Sequence, residues 1–346
     1  MRTLPRPGRR ARYVAVKAAY GGGGFGTALG LGYALLVTEA KLARKTIGPP
    51  TTQAPRAAGS YGRGRRGQQP VHFVVIGDSA AAGLGCDLAD QTPGALLAGG
   101  IARDLGRRVD LEVVARTGAR SAELEVQVAQ ALRRPIDAAV IIIGANDVTH
   151  RVPIASATRD LRRAVQALRD AGAQVVVVGT TPDLGSVKPL MQPLRAIAAQ
   201  ISRRMAAAQT VATVEAGGTA VSLGDLLGPE FAESPHLWSA DRFHPSPEGY
   251  RRIADALLPA LLQSLGVEIP VSVPVSDSVQ DVQLAARVAA REPGVEVDPL
   301  PEQVGTGRLA VLRRRLPLVG RGAPAGPTEA GELAAELAEG DPAHQP

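Results

Sequence analysis

Four short stretches hold residues whose types and spacing suit acyl transfer through a serine. The first is Gly77-Asp78-Ser79, followed by Gly83 and Gly85, which sets a hydroxyl in a turn of small residues just after an apolar run. Taken alone, Asp-Ser after a strand reads more simply as a helix cap. The second, Arg116-Thr117-Gly118, offers a glycine whose backbone N–H can turn toward an oxyanion, although an isolated glycine there is an ordinary turn residue. The third, Gly144-Ala145-Asn146-Asp147, supplies a side-chain amide donor or, alone, an Asx turn. The fourth, Asp241-Arg242-Phe243-His244-Pro245, puts a carboxylate three residues before a histidine, where it can accept the Nδ1 proton and turn Nε2 toward a serine. Its plain alternative is a capping Asp beside a surface His. What defeats the separate alternatives is the conjunction of a nucleophile, an orientable base and two oxyanion donors.

These residues need elements that bring them to one place. Val71–Ile76, Leu111–Ala115, Ala138–Ile143 and Gln174–Gly179 are apolar runs of strand length, each followed by a segment able to form a helix. In Ala155–Ala171, Leu161, Val165 and Leu168 recur at i, i+4 and i+7 between charged residues, an amphipathic helix, and a last helix runs from Pro247 to Leu265. Strands of unbroken apolar type are covered on both faces, which implies a parallel sheet between two helix layers. Ligands bind such sheets outside the carboxyl ends of the strands, and the first three motifs follow three of those ends.

The motifs closely resemble those of the SGNH, or GDSL-type, hydrolase superfamily. Gly77-Asp78-Ser79 with Gly83 matches its first block, Gly118 its second, Gly144-x-Asn146-Asp147 its third and Asp241-x-x-His244-Pro245 its last. The second block departs from the common pattern, because Ala115-Arg116-Thr117 stands where many members carry an Asn-rich loop. The resemblance covers about Val71–Leu265 and implies a flavodoxin-like three-layer α/β/α sandwich. It implies Ser79 as nucleophile, His244 as base and Asp241 as its partner, in agreement with the chemistry of the residues themselves. The oxyanion hole would be the N–H groups of Ser79 and Gly118 and the side-chain amide of Asn146. No metal or organic cofactor is required. The expected reaction is hydrolysis of a small-molecule, lipid or glycan ester with a short or medium acyl chain. An acyltransferase would use the same acyl-serine, and a binding module on the same fold would use none of it.

Other polar residues carry plainer expectations. Asp78 and Asp147 pin their loops, His150 belongs to a loop surface near the site, and Cys86 is a packed small residue. Arg116, Arg120 and Arg242 are solvated arginines that would make the entrance cationic if they face it.

The rest of the chain frames this region. Aromatics are 3% of the 346 residues, which leaves no stacking platform for bases, and no nucleic-acid module is present, so no nucleic-acid partner is expected. The single cysteine excludes an intramolecular disulfide and a multi-cysteine zinc site. Residues 1–70 hold thirteen Lys or Arg and one acid, Glu39, whereas the remainder is net acidic, so the pI near 9.9 describes the N-terminal arm. Within residues 1–48, Ala18–Thr38 carries no charge and follows six basic residues. This is the pattern of a membrane anchor or signal segment with the catalytic part outside the cytoplasm; its plain alternative is a helix lying on the surface of a cytoplasmic domain. Residues 49–70, rich in Pro, Gly, Arg and Gln, read as a flexible linker, so a chain beginning near Gln69 is expected to suffice for activity. Residues 71–265 form the hydrolase domain, and 266–346 read as a largely disordered extension.

Overall fold

The computed structural model describes residues 31, 34–42, 45–46, 53–65, 67–224, 231, 234–267, 276–292, 294–300 and 309–314. In chain order the elements are β1 (Gly59–Tyr61), β2 (Val71–Gly77), α1 (Ser79–Ala82), α2 (Pro93–Leu105), β3 (Val109–Val113), α3 (Leu124–Ala131) and β4 (Ala138–Ile142). There follow α4 (Ala145–Thr149), α5 (Ile154–Asp170), β5 (Val175–Gly179), α6 (Leu194–Glu215), β6 (Thr219–Val221) and α7 (Pro247–Ser264). A last group is β7 (Ser276–Asp281), α8 (Val282–Ala289), β8 (Val295–Pro299) and β9 (Leu309–Arg314).

The strands make one sheet in the order β1-β3-β2-β4-β5-β6-β8-β9-β7. The five from β3 to β6 are parallel, and β1, β8, β9 and β7 join antiparallel. The pleat divides each strand between two cores. In β2, Phe73 and Val75 face the side covered by α2 and α7, where Leu97, Ile101, Leu257 and Leu261 are buried. Val74 and Ile76 face Leu124, Val128, Leu161, Val165 and Leu168 of α3 and α5. Burial on both faces explains the unbroken apolar runs, and the parallel α/β sandwich expected from them is the observed fold. Helix ends follow local chemistry: Thr92 caps α2 ahead of Pro93, and Ser246 caps α7 ahead of Pro247.

Several boundaries change. The second expected strand lies two residues earlier, at Val109–Val113, and β6 is an additional parallel strand of only three residues. The linker expected over 49–70 is not wholly a linker: Gly59–Tyr61 pairs with β3, Tyr61 Oη donates to Ala57 O (2.6 Å) and Ser60 Oγ donates to Asp110 Oδ1 (2.6 Å). The open edge of β3 supplies hydrogen-bond partners that the segment's own composition does not reveal. The expectation of a largely disordered 266–346 is also corrected. Residues 276–314 contain three strands and α8, attached to the sheet where β8 pairs with β6. Val282, Ala285, Ala289, Val295, Val297, Ala310 and Leu312 form a small core there with Val214 of α6, enough apolar surface to order the segment.

Most of the expected anchor, residues 18–30 and 32–33, lies outside the described residues, as do 315–346. Leu31, residues 34–42 and residues 45–46 are helical. Among the described residues no helix is long and apolar enough to cross a membrane.

Candidate active site

Ser79 opens α1 with only Asp78 between it and the end of β2, and this abrupt strand-to-helix turn depends on Gly77. Its φ is +138°, and a Cβ there would lie 1.9 Å from Ile142 O, because β2 and β4 are in register at that point. Asp78 N donates to Ile142 O (3.1 Å), and Asp78 Oδ1 caps the helix by accepting from Ala80 N (2.9 Å). Gln127 of α3 grips the same turn from the other side of the sheet. Its Oε1 accepts from Gly77 N (2.8 Å) and its Nε2 donates to Gly77 O (2.9 Å), with the side chain fully buried. Ser79 is 8% exposed, so its hydroxyl stands at the floor of the site.

His244 comes from a tight loop before α7. Ser239 N donates to His244 O (2.8 Å), and Trp238 and Pro245 form an antiparallel bridge. Asp241 organises the loop: its Oδ1 accepts from Ser239 Oγ (2.7 Å), Phe243 N (2.9 Å) and His244 N (2.9 Å). That leaves Oδ2 for His244 Nδ1 at 2.6 Å, and His244 Nε2 lies 3.0 Å from Ser79 Oγ. The His244 loop rests on the turn after α1, where a Cβ on Gly85 would meet Pro245 O at 2.5 Å. Phe243 meets the His244 ring edge-on at 4.9 Å. Burial alone would raise the Asp241 carboxyl, but the hydrogen bonds from His244, Ser239 and Phe243 outweigh it and hold the group well below the ordinary carboxylate range.

The loops after β3 and β4 are stitched to this centre. Arg116 N donates to Gly77 O (3.0 Å), which ties the β3 loop to the end of β2, and Gly118 turns that loop with φ +83°. Asn146 Nδ2 donates to Ala119 O (3.1 Å), while Asp147 accepts from Ser121 N (3.1 Å to each oxygen) and from Ser121 Oγ (2.9 Å). Gln209 of α6 holds the β4 end by donating to Ile143 O (2.9 Å) and accepting from Thr181 N (2.7 Å) and Thr181 Oγ1 (2.8 Å). Ser79, Gly118 and Asn146 thus sit on loops leaving three adjacent strands, with Ser79, His244 and Asp241 in one hydrogen-bond chain. Burial pushes Asp78 up to about 7, with Asp147 adding to the rise and the N–H groups of Ala80 and Gly144 and the charge of His244 opposing it. Asp147 is likewise raised by burial, against the bonds from Ser121. Both carboxyls pin loops.

The remaining candidates fall elsewhere. Cys86 is buried and donates to Gln91 O (3.3 Å); burial, with Asp87 and Asp90, pushes its thiol up to about 12, so it is no nucleophile at neutral pH. His150 is exposed, its Nδ1 2.9 Å from Asn146 O. Arg116, Arg120 and Arg242 are exposed, and Arg242 holds φ +58° between Asp241 and Phe243. His72 lines a cleft of about 650 Å³ with Ser60, Asp110, Arg133 and Arg134 beside the β1–β3 edge, a cleft that includes none of the four motifs. Gln127, Gln209, Ser121 and Ser239 were not foreseen from the sequence. Their partners are mostly backbone atoms, and for the two glutamines these lie far along the chain and leave no local pattern.

The GDSL-like Lipase/Acylhydrolase family matches residues 75–252, a stretch that contains all four motifs. The chain is 44% identical over 234 residues to the GDSL-like esterase Rv1075c of Mycobacterium tuberculosis, covering 64% of this chain and 74% of that protein. It is similar to the solved structure of Axe2, an acetylxylan esterase from Geobacillus stearothermophilus, at 19% identity and a TM-score of 0.43, over 57% of this chain and 95% of that one. It is similar also to the psychrotrophic esterase EstA from Pseudoalteromonas sp., at 16% identity and a TM-score of 0.44, over 56% and 98% of the two chains.

Proposed function

The chain belongs to the GDSL-like lipase/acylhydrolase family and is a carboxylic ester hydrolase of the SGNH type, and from that premise we propose that it works through an acyl-enzyme on Ser79. The observation that carries this reading is the unbroken chain from Asp241 through His244 to Ser79. As Ser79 Oγ attacks the ester carbonyl carbon, His244 Nε2 takes its proton and the carbonyl electron pair moves onto oxygen. The backbone N–H groups of Ser79 and Gly118 and the amide of Asn146 receive that oxyanion; Asn146 spends one amide proton on Ala119 O and keeps the other for it. Collapse restores the carbonyl and breaks the bond to the alcohol oxygen, which leaves with the proton from His244. Water then repeats the sequence on the acyl-serine, with His244 again the base. Asp241 stays ionised throughout and stabilises the imidazolium, in keeping with its lowered pKa.

Ser79→Ala and His244→Ala are each expected to lower kcat for a p-nitrophenyl acetate substrate by several orders of magnitude with far-UV CD unchanged. Retention of more than a few per cent of the rate by Ser79→Ala would reject the nucleophile. Short or medium acyl groups suit a serine that is this nearly buried. A p-nitrophenyl series is expected to peak among the short and medium acids, and a maximum at palmitate would reject that part. The catalytic unit lies outside the cytoplasmic membrane, a reading supported by the uncharged stretch 18–38 behind six basic residues. Alkaline phosphatase fused after Pro70 is then active and a green fluorescent fusion dark, and the reverse result would make this a cytoplasmic esterase.

A further inference from the structure

The N-terminal helix is not loosely tethered to the esterase fold. Glu39, the sole acid in the first seventy residues, is 5% exposed, and its Oε2 accepts from Leu194 N (3.0 Å) at the first turn of α6. Arg195 Nε continues the contact to Gly185 O (2.6 Å) in the segment that leaves β5. The helix therefore sits at the carboxyl ends of the strands, on the rim that also holds Ser79 and Asn146.

Its outward face is the wrong one for water. Leu31, Leu35 and Leu42 stand at i, i+4 and i+11, which places them on one side of a helix, and they are 68%, 49% and 50% exposed. Met191 and Ile197, on the segment that receives Glu39, are 58% and 37% exposed. Five of the nine exposed large hydrophobics among the described residues thus gather here, while Leu88, Val126, Val279 and Leu284 come from other parts of the chain. The exposed charges beside them are positive: Lys41, Lys45 and Lys188. The acids of this region are withdrawn, Glu39 onto Leu194 and Asp183 into an ion pair with Arg203 (2.9 Å). Among the described residues of the helix and of 180–200, an apolar stripe bordered by lysines with no exposed acid is the chemistry of an interfacial helix on anionic lipid, and a second copy of the same face would meet like charge.

We propose that this leucine and lysine face, with Met191 and Ile197, seats the carboxyl rim of the sheet on an anionic phospholipid surface, so that the site receives esters from the bilayer. Leu31 and Leu35 fall within 18–38, so the full face forms where that stretch lies along the surface rather than across it, whereas Leu42, Met191 and Ile197 lie beyond it in either case; delivery of ester to Ser79 rests on the catalytic reading above. The test uses the full chain with vesicles of phosphatidylcholine, with and without phosphatidylglycerol. Two readouts are taken: flotation with the vesicles, and hydrolysis of a bilayer-embedded ester against soluble p-nitrophenyl acetate. Wild type is expected to hydrolyse the embedded ester faster when phosphatidylglycerol is present. The paired substitutions Leu35→Glu with Leu42→Glu, and Met191→Glu with Ile197→Glu, are expected to lower that rate roughly tenfold or more while the soluble ester is cleaved as before. Glu39→Ala, which frees the helix from α6, acts in the same direction even where the chain still floats. Indifference of the wild-type rate to phosphatidylglycerol, or unchanged turnover of the embedded ester in the variants, overturns the proposal, as does a lipid-independent dimer that the same substitutions dissolve. If wild type fails even on the soluble ester, the catalytic reading fails, and flotation alone decides the surface.

Discussion

Ser79, Asp241 and His244 were readable from the sequence because each motif is local: the strand-to-helix turn and the Asp-x-x-His loop both fit within a few residues. The groups that hold them were not readable. Gln127 is 50 residues from Gly77 and Gln209 is 66 from Ile143, and a buried amide that clamps a distant backbone looks like any other glutamine. Gln127→Leu leaves Gly77 N–H without its partner, while Gly77 O keeps the bond from Arg116 N, a cost of about 1–3 kcal/mol for the one buried group, so its urea midpoint should drop and kcat should fall with it. Asn146→Ala is expected to cost about 10²–10³ in kcat with little change in KM, the range for one oxyanion donor; a change confined to KM would make Asn146 a binding group. Asp78 gives a pH signature of opposite sign to Asp241. Folded, Asp78 keeps its proton to about 7, whereas unfolded it ionises near the ordinary 3.8, so the folded state binds more proton in that window and stability falls as pH rises through it. Asp241, depressed in the fold, contributes stability above the ordinary carboxylate value that is lost on acidification. Asp78→Asn should flatten the fall in urea midpoint between about pH 4 and 7, with a residual slope from Asp147. An unchanged profile would place the Asp78 proton elsewhere.

At the scale of elements, legibility followed length and apolar content. Val71–Gly77, Ala138–Ile142 and Val175–Gly179 are buried on both faces and announce themselves, whereas β6 is three residues and has no period to read. Strands β8 and β9 lie in sequence rich in Glu, Arg and Pro because one face packs on α8 and the other carries charge: Arg313 pairs with both Glu296 and Asp298. Strand β1 was hidden among glycines for a different reason, since its order comes from the edge of β3. A chain beginning at Gln69 would lack β1 and the buried Ala57, exposing the β3 edge. It is therefore expected to unfold at lower temperature and aggregate sooner than one beginning at residue 53, with specific activity per folded molecule unchanged. Equal melting curves for the two chains would mean that β1 contributes nothing.

Across the whole molecule, charge and function are segregated. The basic N-terminal arm and the net acidic remainder meet where the arm's one acid, Glu39, docks on α6. Four motifs spread from residue 77 to residue 245 converge because a parallel sheet puts successive loops on one rim, and the loop before α7 closes over them. That convergence bonds the Ser79 hydroxyl to the His244 ring. Treatment with a fluorophosphonate, followed by digestion and mass spectrometry, therefore tests the account most directly. A single adduct is expected on the peptide that bears Ser79, formed far more slowly in His244→Ala and absent in Ser79→Ala. An adduct on any other residue, or ester hydrolysis that continues at full rate with Ser79 unmodified, would contradict it.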